Sequence, residues 1–299
     1  MKKIYTLFIL MIMASLTFGQ SIITVTDADL GNGTYNWTKN NEYHLDGYVF
    51  LEEGGVLNIE AGTVIKGLAD PSNTDVASAL IITRGAQIFA EGTADAPIIF
   101  TAEDDDVNDP NDLGSEDRGE WGGLILLGRA TISDDVCAAE IEGVRAGANN
   151  SRVLYGDENC DFKDDDNSGV LRYISVRHGG SVLEDGDEIN GITFGAVGSG
   201  TVVEYVEVYA NDDDGIEWFG GTVDVKYAAE AFCADDTYDW DDGYRGRGQF
   251  WFSIQGEDDG GNGGEHDGAH PDDNDPPSDP TVFNATYIGM GADNTADPD

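Results

Sequence analysis

Basic residues are what this chain has least of: 15 Lys and Arg stand against 59 Asp and Glu in 299 residues, a formal net charge of −44. So acidic a surface repels nucleic acid and anionic lipid at ordinary salt, which excludes polyanions as direct partners. Long apolar runs are missing too. The one apolar stretch, about Ile4 to Met13, is shorter than the roughly 20 residues a spanning helix needs, so no membrane insertion is expected. Helix-period runs are absent and 40 glycines punctuate the chain, which points to strands and turns. Cysteine is scarce, with Cys137, Cys160 and Cys233 at spacings that match no zinc motif. Aromatics are not scarce: five Trp, twelve Tyr and twelve Phe in a 40% hydrophobic chain argue for a packed core and against disorder.

The N-terminus, "MKKIYTLFILMIMASLTFGQ", has two lysines, an apolar run and a small or polar boundary. This is the pattern of a cleaved signal peptide over residues 1–19, and it predicts an extracellular or cell-surface protein. Export permits disulfides. Cys137 and Cys160 bracket an irregular segment and are expected to staple it, leaving Cys233 as a buried thiol.

"DDGIEWFGG" at 213–221 is followed 22 positions later by "DDTYDWDDG" at 235–243. The longer units "GTVVEYVEVYANDDDGIEWFGG" and "GTVDVKYAAEAFCADDTYDWDDG" share a start, an apolar alternation, an acidic turn and a Trp strand, and "GVLRYISVRHGG" and "PTVFNATYIGMG" carry the same pattern elsewhere. Short strands at a fixed period mark a solenoid, because each unit buries its apolar face only against its neighbours. Nothing within the period is long enough for a helix. The expected fold is therefore all-β, a right-handed, single-stranded parallel β-helix with long acidic loops at 104–120, 137–168 and 256–280. Its solenoid is expected over 51–299, after a lead-in or cap at 20–50. A β-sandwich is the alternative and requires hairpins. The sequence stops at "GADNTADPD", where the repeat pattern is still running, so a fragment of a longer solenoid is expected.

"LNIEAGTVIKG", "RGEWGGLILLGRA", "DDDNSGVLRYISVRHGG", "GDEINGITFGAVGSGTVVEYVEV", "DDGIEWFGGTVDVKY", "DWDDGYRGRGQFWF", "EHDG" and "PTVFNATYIG" together resemble a family of secreted right-handed β-helix proteins of Bacteroidota. Many of its members are surface or extracellular proteins exported by type IX secretion. The resemblance implies a pectate-lyase-like solenoid and export; it assigns no catalytic residue.

Stacking the two repeats puts Glu217 over Asp239, Trp218 over Trp240 and Phe219 over Asp241, and "GEHDG" can add Glu265, His266 and Asp267. Alternation then gives Glu217, Asp239, Asp241, Glu265 and Asp267 one face, with the Trp-Trp-His column turned inward. Carboxylates about 4.8 Å apart on adjacent coils repel by about 0.9 kcal/mol in water and about 3.5 at an effective dielectric of 20. One Ca²⁺ between coils would offset that, so these five are candidate calcium ligands, against the competing expectation of a bare solvated face. No organic cofactor is expected. The runs at Asp104, Asp106, Asn108 and Asp112 and at Asp161, Asp164, Asp165, Asp166 and Asn167 lack strict calcium-loop spacing and are expected to be solvated. His44, His178 and His270 lack a partner at metal spacing and are expected in surface or turn roles. His266 has acidic neighbours expected to raise its pKa or orient it.

Two functions follow. One is a non-catalytic adhesin or matrix protein that binds extracellular polysaccharide or surface glycan together with calcium. The other is a calcium-dependent polysaccharide lyase or a glycoside hydrolase working in a groove along the solenoid, for which Asp239, Asp241, Arg245 and His266 are the catalytic candidates. The non-catalytic role is preferred, because arginine in an acidic field is usually an ion-pair partner.

Overall fold

The computed structural model describes residues 20–73, 75, 77–144, 150–181, 188–269, 271 and 274–291. The segment read as a signal peptide, His270 and the terminal residues from 292 lie outside them. Each coil lays down three strands in succession, and each strand pairs in parallel with its counterpart one coil on. The first two rows fuse into one 13-stranded sheet, and the third row forms a six-stranded sheet. The parallel register excludes the sandwich. The chain is a parallel β-helix, with one described antiparallel strand pair, Ala138–Glu140 with Leu154–Gly156, inside an insertion.

Residues 20–50, expected to be a lead-in, carry strands Ser21–Val25, Thr34–Trp37, Asn41–Leu45 and Tyr48–Leu51 already in register with the coils that follow. The solenoid starts there. Later coils repeat at the predicted interval, with Val202 opposite Asp224 and Trp218 opposite Trp240.

The bend between the first and second rows has a sequence cause. In Val202–Tyr209, Val203, Val206 and Val208 point inward, so two outward residues, Glu204 and Tyr205, stand side by side. Only a kink reverses the alternation, and Tyr205 supplies it at φ 56°, as do Tyr173, Tyr227 and Phe250 at φ 46°, 59° and 60°. A non-glycine residue in this region costs about 1–2 kcal/mol. Stacking offsets it: the four rings form an external ladder with centroid spacings of 4.4, 4.3 and 5.0 Å.

The inward residues form one continuous core, including Leu51, Ile82, Leu126, Phe194 and Trp218 in a single column. A second core lies outside the third row. There Phe50, Ile81, Ile125 and Leu127 are covered by Ile132, Ile141, Val153 and Tyr155 of the insertion at 128–168. The insertion is stapled by the Cys137–Cys160 disulfide, and Cys233 is a buried thiol, both as expected. Two arginines clip it to the early coils. Arg84 reaches both carboxylate oxygens of Glu158 at 2.8 Å and the Gly156 carbonyl at 3.0 Å, and Arg152 pairs with Asp27 and Glu52 while lying over Phe50.

Candidate functional site

Past the edge of this cover the same outward column changes character. It runs Phe50, Ile81, Ile125, Thr193, Glu217, Asp239, each in register with the next. Trp240 bridges to His266 in parallel, which brings Glu265 beside Asp239 and Asp267 beside Asp241. The three columns proposed from the repeat therefore exist, but their environments differ from the open face expected. Glu217 is buried at 5% exposure, while Glu265 and Asp267 are exposed.

A turn ladder supplies what the register argument missed. Asn190, Asp214, Asp236 and Asn262 occupy equivalent positions before successive third-row strands. Asp214 Oδ1 accepts from Asp236 N at 3.0 Å, and Asp236 Oδ1 accepts from Asn262 N. Asp214 is buried and turns toward the strands, so that single oxygens of Asp214, Glu217 and Asp239 all lie within 4.8 Å of one another. Asp213, Asp214 and Asp235 make a second such trio. Of the five expected ligands, Glu217 and Asp239 join the first trio; Asp241, Glu265 and Asp267 belong to neither. The missed signal was the second Asp of each "DD" pair, which sits at the ladder position.

Among the described residues, no ion pair reaches Asp213, Asp214, Glu217 or Asp239. Asn190, 1% exposed, donates to Glu217 and, at 3.1 Å, to Glu142. Among the described residues, the buried Asn190 Oδ1 and Asp239 Oδ1 find no hydrogen-bond partner. Burial pushes Asp213 up to about 8, helped by Glu142 and Glu188. Asp239 is pushed to about 7 by burial against a hydrogen bond from Glu217, with Glu265 and Asp236 adding to the rise. Burial first, then neighbouring carboxylates, hold Asp214 and Glu217 well above the usual range.

The trio has the dimensions of a calcium site. Two oxygens on one ion at about 2.4 Å lie at most about 4.8 Å apart, and the donors are hard carboxylates with a buried amide oxygen nearby. The residues fit a divalent cation.

Of the four catalytic candidates, Asp239 belongs to the trio and Asp241 accepts from Asp242 N at 2.6 Å, while Arg245 and His266 are engaged elsewhere. Arg245 pairs with Asp164 at 3.4 Å, and Arg247 with Asp224. His266 stacks on Trp240 at 3.5 Å, and its pKa falls because desolvation outweighs the pull of Asp236, the reverse of the rise expected. Of the aromatic column expected to turn inward, Trp218 is fully buried, Trp240 packs half-buried against the core and His266 is exposed, with Tyr244 inserted 5.2 Å from Trp218 and 6.3 Å from Trp240. His44 and His178, expected at the surface or in turns, are buried at 8% and 3% exposure. His44 contacts Glu42 at 2.7 Å, and His178 Nδ1 contacts the Asp117 carbonyl at 2.6 Å.

The two acidic runs expected to be solvated are partly structural. Asp164 accepts from Thr131 N and Oγ1, and its carbonyl accepts from Ser199 and Thr222. Burial lifts Asp166 to about 6. The 104–112 run folds on itself through Asp106, Asp109 and Asp112, which accept from backbone amides, and roofs a cleft lined by Arg177, His178, Glu207 and Tyr209.

No curated protein and no solved structure matches the chain. A family model described as a pectate-lyase like beta helix domain matches residues 30–297. With the parallel coils and three-row cross-section already established, the chain belongs to the pectate-lyase-like β-helix family.

Proposed function

We propose that this is an exported, non-catalytic surface or extracellular β-helix protein that binds glycan and holds one Ca²⁺ at Asp214, Glu217 and Asp239. The observation that carries the reading is the trio itself: three carboxyl oxygens within 4.8 Å, buried or half-buried, with no described cationic side chain paired to them. Such a cluster is either protonated or bridged by a cation, and a carboxylate-rich trio of this spacing suits calcium. The family supports a carbohydrate-related role. The non-catalytic choice rests on Arg245 and Arg247 being tied to Asp164 and Asp224, which among the described residues leaves no free arginine base beside the cluster for lysis.

A second reading, glycoside hydrolysis, is favoured by one feature: Asp239, near 7, would serve as a general acid at neutral pH. Against it, Glu217 is buried, so Asp239 is the one member of the trio open enough to meet a polymer.

Chelator-stripped protein titrated with CaCl₂ by calorimetry should bind one equivalent, and Asp214→Asn with Asp239→Asn should abolish it. A glycan array probed with and without calcium, followed by a reducing-end assay on every hit, separates the roles. Binding without turnover supports the non-catalytic reading; released ends that disappear in Asp239→Asn would replace it with the hydrolase. Absence of calcium binding by the wild type would refute the site.

A further inference from the structure

The outer face of the second row, away from the carboxylate trio, carries a cleft of about 330 Å³. Its floor is two successive coils, Arg177 and His178 on one and Glu207 and Tyr209 on the next, and its wall is the 103–117 segment with Asp105, Asp106 and Asp112. The wall is anchored. Asp105, 5% exposed, accepts from Thr101 Oγ1 at 2.5 Å, and at the far end Arg118 donates to the Phe232 carbonyl at 2.7 Å and pairs with Asp258 at 2.8 Å. A second hollow, lined by Ser115, Glu116, Phe232 and Asp258, shares this wall. Tyr209 touches His178 edge-on at 5.5 Å and Phe232 at 5.6 Å, so its ring joins the two.

The floor is built to meet a polar ligand. His178, 3% exposed, lines the floor with its ring held by a hydrogen bond from Nδ1 to the Asp117 carbonyl at 2.6 Å. Arg177 is steadied by Ser175 Oγ, which accepts from its Nε at 2.8 Å, while Ser175 Oγ donates to Glu207 at 2.5 Å. The guanidinium and carboxylate are thus held side by side, 3.9 Å apart at their nearest. A planar donor beside a planar acceptor, with an aromatic ring bordering both, suits vicinal hydroxyls, each of which donates and accepts. The charge balance narrows the ligand further. Asp105, Asp106, Asp109, Asp112 and Glu207 line the cleft with one arginine, in a chain of net charge −44. A carboxylate brought into this cleft meets repulsion on most sides.

We propose that this cleft is a glycan subsite that takes a sugar unit without a carboxylate, neutral or amine-bearing, and rejects uronic acids. The inference rests on the glycan-binding reading, and names the substrate class by charge.

The test uses the full chain in calcium at physiological salt, with three trisaccharides as probes: glucosamine, N-acetylglucosamine and galacturonic acid. At least one of the first two should bind at least tenfold more tightly than the galacturonide. That binding should weaken tenfold or more in Arg177→Met with Tyr209→Phe, a pair that keeps the ring and stem in place. Because the double variant can fail to fold, hydrogen exchange on the wild type gives a second readout: the bound trisaccharide should slow exchange in 104–113 and leave 214–239 unchanged. Equal or tighter binding of the galacturonide overturns the proposal, as does protection confined to other coils or no binding of any probe. Calcium titration of the double variant should match the wild type, so failure of the cleft is distinguished from failure of the cation site.

Discussion

Asp239 offers the sharpest test of the proposed cation site, because its charge state would tie stability to both pH and calcium. Its carboxyl titrates near 7 in the folded chain against an ordinary 3.8. Between those values the folded form keeps a proton that the unfolded chain has released, so stability falls as pH rises through the window and levels off above 7. Each unit costs about 1.4 kcal/mol, or about 3 kcal/mol from pH 5 to 7 for this residue alone. At roughly 2 °C per kcal/mol for a chain of this size, the melting temperature in chelator should drop by about 6 °C over that range. Calcium acts in the opposite sense. It needs the ionised carboxylates, so it must displace protons at pH 5 and fewer at pH 8, and the shift it produces should be larger at pH 8. At one hundred times the dissociation constant that shift corresponds to about 2.7 kcal/mol. Asp239→Asn should melt higher than the wild type in chelator at pH 8 and lose most of its response to calcium. Differential scanning calorimetry at pH 5, 6, 7 and 8, in chelator and in calcium, reads all of this. A chelator melting temperature that stays flat or rises from pH 5 to 7, or an Asn variant with an undiminished calcium shift, would show the reasoning to be wrong.

Three further outcomes are expected. Replacing Cys137 and Cys160 with Ser opens a 23-residue separation and should cost about 3.5 kcal/mol by loop entropy in urea titrations, with the β-sheet circular dichroism signal retained. Arg84→Ala strands the Gly156 carbonyl and frees Glu158, which should cost about 2 kcal/mol; since Arg84 holds Glu158 down to about 2, the wild type should lose that stabilisation as pH falls from about 4.5 toward 2, and the variant should show no such loss. Tyr227→Ala removes two stacks and should destabilise by about 1–3 kcal/mol, yet Tyr227→Gly should be the more stable of the pair, because φ at this position is 59°; an Ala variant more stable than Gly would refute the strain argument for the bend.

Legibility in the sequence followed the strength of local repetition. The 22-residue echo of "DDGIEWFGG" in "DDTYDWDDG" fixed the register of Glu217, Trp218 and Phe219 against Asp239, Trp240 and Asp241, because an in-register solenoid leaves no freedom once two coils align. The bend at Tyr205 was written in the same residues, as the spacing Val203, Val206, Val208, but a period-two reading passes over it. What no repeat encodes is the meeting of distant segments. The burial of His178 depends on the 103–120 wall, and the burial of Glu217 on Asn190 and the edge of the insertion. The pKa of His266 departs from expectation for a related reason: its sequence neighbours are acidic, but its ring lies flat on Trp240, where desolvation decides the outcome.

The position of the carboxylate trio follows from where the insertion stops. Under the cover, the outward column is Phe50, Ile81 and Ile125, and an acidic residue there would be buried without solvent or partner. Fully beyond the cover, Glu265 and Asp267 are exposed, and water screens them. Glu217 and Asp239 fall between these regimes, one buried and one half-buried, with Asp214 turned in from the ladder. In that intermediate zone desolvation strengthens the repulsion between carboxylates that water screens less. The edge of the cover is therefore a stretch of the column where an acidic cluster is strained when bare, and the trio lies there.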